Sequence, residues 1–395
     1  MHFGSVPFRG HAVSAPSPCS DPRAFLRYPA TAGGMPALLT AFARRWPNRR
    51  SPSAPPISIS RPGRRADRSK AVPPIANDAR SSPAPCIALL SKGLDLGFLA
   101  PALRRYRPQA DVRLGDSLGA LEEIEAAICW SPPAGVLGRM PNLKLIQSIA
   151  AGVDHILSDD DLPAAVPICR ILDPGMAAGM CAYVNWAVIH HQRHFDRYLS
   201  HAAKRRWQEE PIVSPRRHRV GIAGFGWLGS ACARSLAAVG FNVRAWHRGT
   251  NRPAPPGIAV FQGREQLDDF LSGCDTLVCL LPLTAETSGF LDAALFARLP
   301  RGAHVVNVGR GDHLIEADLL AAIADGQIGG ATLDAFSSEP LAPDHPFWTE
   351  PRITVTPHIA SRTDLDVIAR QTLDNLEQVR QGATPAAMVD PSRGY

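Results

Sequence analysis

The sequence of 395 residues predicts an α/β protein built on two parallel sheets, and three observations lead there. Short apolar strands alternate with helical stretches in two successive sets. A glycine-rich turn, Gly224-Phe225-Gly226-Trp227-Leu228-Gly229, opens the second set between a strand and a helix. The longest apolar stretches, such as Met180–Ile189, run for about ten residues, well short of the roughly 20 that span a bilayer. A transmembrane protein is excluded on that ground.

The first set begins near Cys86, where Cys-Ile-Ala-Leu-Leu-Ser (86–91) reads as a strand. A helix is expected over Asp95–Tyr106, a strand over Ala126–Trp130 ending at Ser-Pro-Pro, and another over Leu145–Ala150 closed by Ala-Gly-Val-Asp. A long helix, about Ala177–His201, leads into the second set. There the strands are Arg219–Ala223, Asn242–Trp246, Thr276–Leu281, His304–Val308, Ala331–Phe336 and Ile353–Thr356. Trp227–Val239 and Glu316–Asp325 are helices between them. A last helix, about Asp364–Arg380, is expected to return to the first domain, so the second domain is inserted into a split first one. The expected boundaries are 85–186 plus 360–395 for the first domain and 187–359 for the second.

Residues 1–84 are a different material. They hold 14 of the 37 prolines, 13 Lys and Arg against 3 Asp, and no sustained apolar period. Such a segment buries too little apolar surface to offset its chain entropy. It reads foremost as upstream GC-rich sequence translated from an early start, then as a disordered extension or an Arg-rich targeting peptide. Each reading makes it dispensable. Without it the formal charge of +6 becomes −4. The basic stripe that nucleic-acid binding needs is then missing, so no nucleic-acid partner is expected. The eight cysteines form no Cys-x-x-Cys pair and read as small buried hydrophobes of a reducing, cytoplasmic protein.

The glycine turn carries the first chemistry. Its first Gly permits the tight turn, the second lets backbone approach a pyrophosphate, and the third lets helix and strand pack closely. The helix opening at Trp227-Leu228 then faces phosphate with free N–H groups. The next strand ends eighteen residues beyond Gly229, at His247-Arg248. An NAD-preferring fold usually carries an acid there for the ribose 2′-hydroxyl. Arg248 and Arg252 instead offer positive charge for a 2′-phosphate, so NADPH is favoured and NADH comes second.

Arg310, Glu339 and His358 fall at or just beyond ends of predicted strands, the edge where an open parallel sheet binds its ligand. Arg310 also has a reading as a surface ion-pair member, Glu339 as a turn residue and His358 as a helix cap. Together they are the parts needed to reduce a 2-keto acid. Hydride delivery to its carbonyl carbon leaves charge on oxygen that a proton or cation must meet. A carboxylate beside His358 would favour its imidazolium form. His190, His191 and His194 share a helical turn, lack acidic partners and read as a partly solvated face, so no metal is expected. Trp348 is expected to pack beneath its loop.

The ordered motifs Gly224–Gly229, Leu-Leu-Pro-Leu-Thr-Ala-Glu-Thr (280–287), Asn-Val-Gly-Arg-Gly (307–311), Leu-Asp-Ala-Phe-Ser-Ser-Glu-Pro-Leu (333–341) and Thr-Pro-His-Ile-Ala-Ser (356–361) resemble those of the D-isomer-specific 2-hydroxyacid dehydrogenases. The resemblance covers about 86–395. Within that family, the Cys-Trp-Ser-Pro-Pro segment (129–133), the acid-free Trp246-His247-Arg248 and the terminal Val389–Tyr395 are most similar to the glyoxylate- and hydroxypyruvate-reducing members.

The resemblance implies a Rossmann-like nucleotide domain inserted into a split flavodoxin-like substrate domain, a homodimer, and a small 2-keto acid reduced with NADPH. Arg310 would bind the substrate carboxylate and polarise the keto oxygen. His358 would donate the proton and Glu339 would orient it. Ala151 and Gly152, in the turn 150–153, would hold the carboxylate through backbone N–H groups, and Trp130 would wall the pocket. Asp334 would meet the nicotinamide carboxamide, while Leu281, Pro282 and Val308 would flank the cofactor. The family often has Glu where this chain has Ala182, which puts one packing or pocket-edge contact in doubt. The rival readings are another keto-acid reductase of the family and a nucleotide-sensing, corepressor-like scaffold.

Overall fold

The computed structural model describes residues 83–115, 117–249 and 253–394. The leader up to residue 82, Arg252 and Tyr395 therefore lie outside the described residues. Twelve strands among those described form two all-parallel sheets. The first holds β1 (Cys86–Ser91), β2 (Asp111–Leu114), β3 (Ala126–Trp130), β4 (Leu145–Ser148) and β5 (Ile168–Cys169), in the order β2-β1-β3-β4-β5. That is the flavodoxin-like order.

Alternation along β1 shows why both of its faces are covered. Ile87 and Leu89 enter one core with Leu99 and Leu103 of the following helical segment, while Ala88 and Leu90 enter another with Leu137 and Ile146. A parallel sheet needs such two-sided burial. Helices α1 (Ala100–Tyr106) and α2 (Asp154–Leu157) belong to this part of the chain.

Helix α3 (Pro174–Gln192) straddles the expected boundary at 186/187. Its Met176 joins the first sheet's core, whereas Met180, Val184 and Val188 join the second's. The single helix expected over 177–201 is in fact two. His194 adopts a left-handed backbone, φ 56°, and α4 (Phe195–Ala203) starts anew. A left-handed residue cannot continue an α-helix, and with His in place of the usual Gly the sequence carries no stop signal.

The second sheet holds β6 (Arg219–Ala223), β7 (Asn242–His247), β8 (Ile258–Gln262), β9 (Thr276–Cys279), β10 (Ala303–Asn307), β11 (Ile328–Leu333) and β12 (Ile353–Val355). Their order is β12-β11-β10-β9-β6-β7-β8, so the chain reverses its direction of travel between β6 and β9. That switch point is where an open sheet of this kind binds its ligand. Helix α5 (Trp227–Val239) follows β6. Beyond it come α6 (Leu267–Leu271), α7 (Ala293–Phe296) and α8 (Glu316–Ala324).

The last helix, α9 (Leu365–Arg380), is capped by the Asp364 side chain and returns to the first sheet. Its Ile368, Ala369 and Leu376 enter the first core, and Asn375 Nδ2 donates to Gln147 Oε1 of β4 at 2.8 Å. The second sheet is therefore inserted into a split first domain, as expected. No helix among the described residues is long and apolar enough to cross a membrane.

Candidate active site

A cavity of about 900 Å³ lies where the two sheets' carboxyl ends meet. It is bordered by Trp130, Ala151, Gly152, the glycine turn, His247, Arg248, Leu281, Pro282, Val308, Arg310, Asp334, Glu339 and His358. Every site residue expected from the sequence and described in the structure thus reaches one space. The volume is large for one small acid and suits a dinucleotide's longer body as well.

His358 sits one residue beyond Pro357 in a left-handed conformation, φ 51°. For a side-chain-bearing residue this is strained backbone of the kind that gathers at functional sites. Asp334, buried at the end of β11, holds it there. One Asp334 oxygen accepts from the Ile359 amide and from Thr356 Oγ1, the other from the Ala360 amide, at 2.6–2.8 Å. The carboxylate expected to meet the nicotinamide therefore also ties down the loop that carries His358.

Glu339 closes on the imidazole, its two oxygens 3.0 and 2.9 Å from Nδ1. Its Oε1 also accepts from the Phe336 amide at 3.0 Å. Burial alone would push the Glu339 carboxyl up. The His358 contact, the Phe336 amide and the Arg310 charge outweigh it and hold the group below the ordinary carboxylate range. Glu339 is thus an ionised acceptor fixed on Nδ1, which leaves Nε2 as the nitrogen for chemistry.

Arg310 follows β10 and reaches across to the first domain. Its Nε donates to both oxygens of Asp154, at 3.2 and 3.1 Å, and its Nη1 to the Gly309 carbonyl at 3.0 Å. Nη2 lies over Gly152, so closely that a Cβ there would stand 1.9 Å from it. Only glycine allows that approach. Burial raises the Asp154 carboxyl, but the Arg310 charge and hydrogen bond more than reverse this and keep it low. Sequence reasoning missed Asp154. Its signal was its place one residue after the Ala-Gly-Val turn, at the start of α2. His155, next to it, packs against Trp130 with ring centroids 4.5 Å apart, and burial pushes its imidazole down to about 4.

On the nucleotide side, Gly224 has φ 104°, and a Cβ on it would meet the Leu280 carbonyl at 2.4 Å. A Cβ on Gly229 would stand 1.8 Å from the Gly224 carbonyl, whereas one on Gly226 would meet nothing within 4 Å. The turn is therefore closed on its strand side and open on its cavity side, beneath the N-terminus of the 13-residue α5. These residues fit a pyrophosphate. Arg248 also borders the cavity, but it is ion-paired with Glu286, a partner the sequence reading did not foresee.

Several expectations are corrected. His190, His191 and His194 are each half-buried, but His191 does more than line a partly solvated face. It stacks on His304 of β10, ring centroids 4.1 Å apart, because α3 packs over that end of the sheet. Trp348 is 52 % exposed, and Phe347 beside it is the residue buried under the loop. Ala182 is exposed on α3 and does not border the cavity.

A doubly wound nucleotide domain closing on a second α/β domain is the architecture of a dinucleotide-dependent oxidoreductase. Residues 185–360 match the family model described as D-isomer specific 2-hydroxyacid dehydrogenase, NAD binding domain. A glyoxylate/hydroxypyruvate reductase A of Yersinia enterocolitica is 39 % identical over an alignment of 301 residues that covers 74 % of this chain and 94 % of that one. A D-isomer specific 2-hydroxyacid dehydrogenase of Xanthobacter autotrophicus, solved with NADPH and MES, superposes with TM-score 0.74 at 38 % identity, covering 79 % of this chain and all of that one (100 %). An NADPH-dependent glyoxylate/hydroxypyruvate reductase of Sinorhizobium meliloti, solved with NADP and sulfate, gives 0.73 at 33 % identity, with coverage of 79 % and 100 %. The chain belongs to the D-isomer specific 2-hydroxyacid dehydrogenase family.

Proposed function

We propose that the cleft reduces glyoxylate to glycolate and hydroxypyruvate to D-glycerate with NADPH. The observation that carries this reading is the meeting, in one cavity, of the Glu339–His358 pair with Arg310, whose Nη2 lies over Gly152. The names of the relatives support the substrate class, and the NADPH- and NADP-bound neighbours support the cofactor. Gly224, Gly226, Trp227, Leu228 and Gly229 would hold its pyrophosphate, and His247 and Arg248 its 2′-phosphate. Leu281, Pro282 and Val308 would flank it, and Asp334 would border its nicotinamide end. Bound NADPH supplies the hydride.

The chain's own residues do the rest. Arg310, permanently charged and forked, takes the planar α-carboxylate and polarises the keto oxygen beside it. The Ala151 and Gly152 amides grip the same carboxylate from the other domain, and Trp130 walls the pocket. His358 gives a proton from Nε2 to the oxygen as its negative charge develops, so the carbonyl becomes a hydroxyl. Glu339 holds Nδ1 and balances the imidazolium. With boundaries at 85–186 plus 360–395 and 187–359, Trp130, Ala151 and Gly152 would meet the substrate from the first domain, and Arg310, Glu339 and His358 from the second, beside the cofactor groups.

We further propose a cytoplasmic homodimer. Large apolar side chains crowd the exposed stretch after α3: Phe195 is 44 % exposed, Leu199 67 %, Trp207 99 % and Ile212 73 %. A second copy covering them would remove a patch that monomers seldom expose.

A panel of 2-keto acids assayed with NADPH and with NADH tests the function. Highest kcat/KM for glyoxylate and hydroxypyruvate with NADPH is expected. A better small keto acid would move the reading to another reductase of the family, and absence of turnover with every acid would favour the scaffold.

A further inference from the structure

We propose that Glu286 narrows the cofactor preference by standing in for the 2′-phosphate on Arg248. The inference rests on the cofactor reading above. Arg248 follows β7, and Glu286 lies in the turn after β9. These strands are not neighbours, since β6 runs between them in the order β9-β6-β7. The ion pair therefore bridges over the carboxyl end of β6, where the glycine turn starts. A dinucleotide seated on that turn must lay its adenosine ribose beside this bridge.

The turn that carries Glu286 is held in place. Thr287, 1 % exposed, donates to the Pro282 carbonyl at 2.6 Å, and the Thr284 amide donates to the Thr287 hydroxyl at 2.8 Å. The Gly289 amide anchors the far side on the Asp312 carbonyl at 2.8 Å. Glu286 is thus an anion fixed near the cavity wall, with its side chain 65 % exposed against 27 % for Arg248.

The consequence is an exchange of partners. An incoming 2′-phosphate must displace the Glu286 carboxylate from Arg248 and is also repelled by it. A ribose bearing a 2′-hydroxyl leaves the ion pair intact and feels little of either effect. Glu286 therefore weakens binding of the phosphorylated cofactor selectively and narrows the preference that Arg248 creates. Neutralising it should widen that preference, because the exposed pair is worth only a few-fold and the lost repulsion adds to it.

Calorimetric titration with 2′,5′-ADP and 5′-AMP, which report on the adenosine end alone, tests this in the full chain. Glu286→Gln should bind 2′,5′-ADP about three- to tenfold more tightly than wild type and 5′-AMP within about twofold. The gain should shrink in high salt and vanish in an Arg248→Ala background. Glu286→Ala, with its Tm measured alongside, should behave as the Gln variant does. An unchanged 2′,5′-ADP affinity, an equal gain for both ligands, or a gain that survives Arg248→Ala would overturn the proposal. Equal binding of the two ligands by wild type would instead overturn the NADPH reading on which it rests.

Discussion

Asp154→Ala should lower kcat for glyoxylate by about ten- to a hundredfold while NADPH affinity stays within about twofold. The magnitude follows from the contact. Both Asp154 oxygens accept from Arg310 Nε, and the side chains are only 20 % and 22 % exposed, so water screens the pair poorly. A hydrogen bond to a charged group in such surroundings is worth about 1.5–3 kcal/mol, and each 1.4 kcal/mol or so is a factor of about ten in rate. Two effects oppose each other. Losing the carboxylate leaves Arg310 unaimed, yet it also unmasks positive charge that attracts the substrate. Asp154→Asn separates them, because it keeps an acceptor for Nε and removes only the charge. The Asn variant should hold kcat within about threefold and lower the glyoxylate KM, whereas the Ala variant should lose kcat. Steady-state kinetics at saturating NADPH, with calorimetry for the cofactor, reads both. If Ala leaves kcat and KM within twofold of wild type, Asp154 does not position Arg310, and the cross-domain contact is only structural.

Three further outcomes are expected. His358→Ala should lower kcat by about 10²–10⁴, the usual size of general acid catalysis, with little change in NADPH affinity by calorimetry; near-normal glyoxylate reduction would remove His358 from its role. Arg310→Lys should recover only part of what Arg310→Ala loses in kcat/KM, because an ammonium cannot form the two-pronged carboxylate contact; full recovery would show that charge alone suffices. Tm should fall on acidification from pH 6.5 towards 4. Burial, followed by the nearby His218, pushes His191 down from 6.5 to about 4, and burial also lowers His304 and His218. The unfolded chain then binds more protons across that window, so stability is complete above 6.5 and drains below it, by about 3 kcal/mol for His191. The depressed carboxyls of Asp154 and Glu339 add their loss only at lower pH. His191→Phe should flatten the Tm slope between pH 6.5 and 5, and an unchanged slope would refute the assignment.

Strands whose apolar residues form continuous runs were legible, and Cys86–Ser91, Ala126–Trp130 and Arg219–Ala223 fall where the sequence puts them. Edge strand Ile353–Val355 was legible too, but two other edge strands were not. Asp111–Leu114 and Ile258–Gln262 bury only part of their length, so their composition is mixed and resembles loop. The catalytic candidates were legible because each stands beside a distinctive local motif. Asp154 and Glu286 were not, although both lie within segments the sequence singles out. Their meaning comes from partners 156 and 38 residues away, and that pairing depends on sheet order and domain closure rather than on local pattern.

Those two unforeseen carboxylates share a logic. Each arginine proposed to take a ligand anion, Arg310 for the substrate carboxylate and Arg248 for the 2′-phosphate, already holds an anion of its own chain. A bare guanidinium facing a partly dry cavity would carry an uncompensated charge, and an unpaired charge removed from water is among the costliest features a fold can keep. The internal partner removes that cost and fixes the fork in place. Ligand binding at Arg310 can then add donors without releasing the first partner, since Asp154 occupies only Nε. At Arg248 the partner sits on Nη1 beside the proposed 2′-phosphate place, so its charge opposes the incoming anion. The same device therefore positions at one arginine and competes at the other.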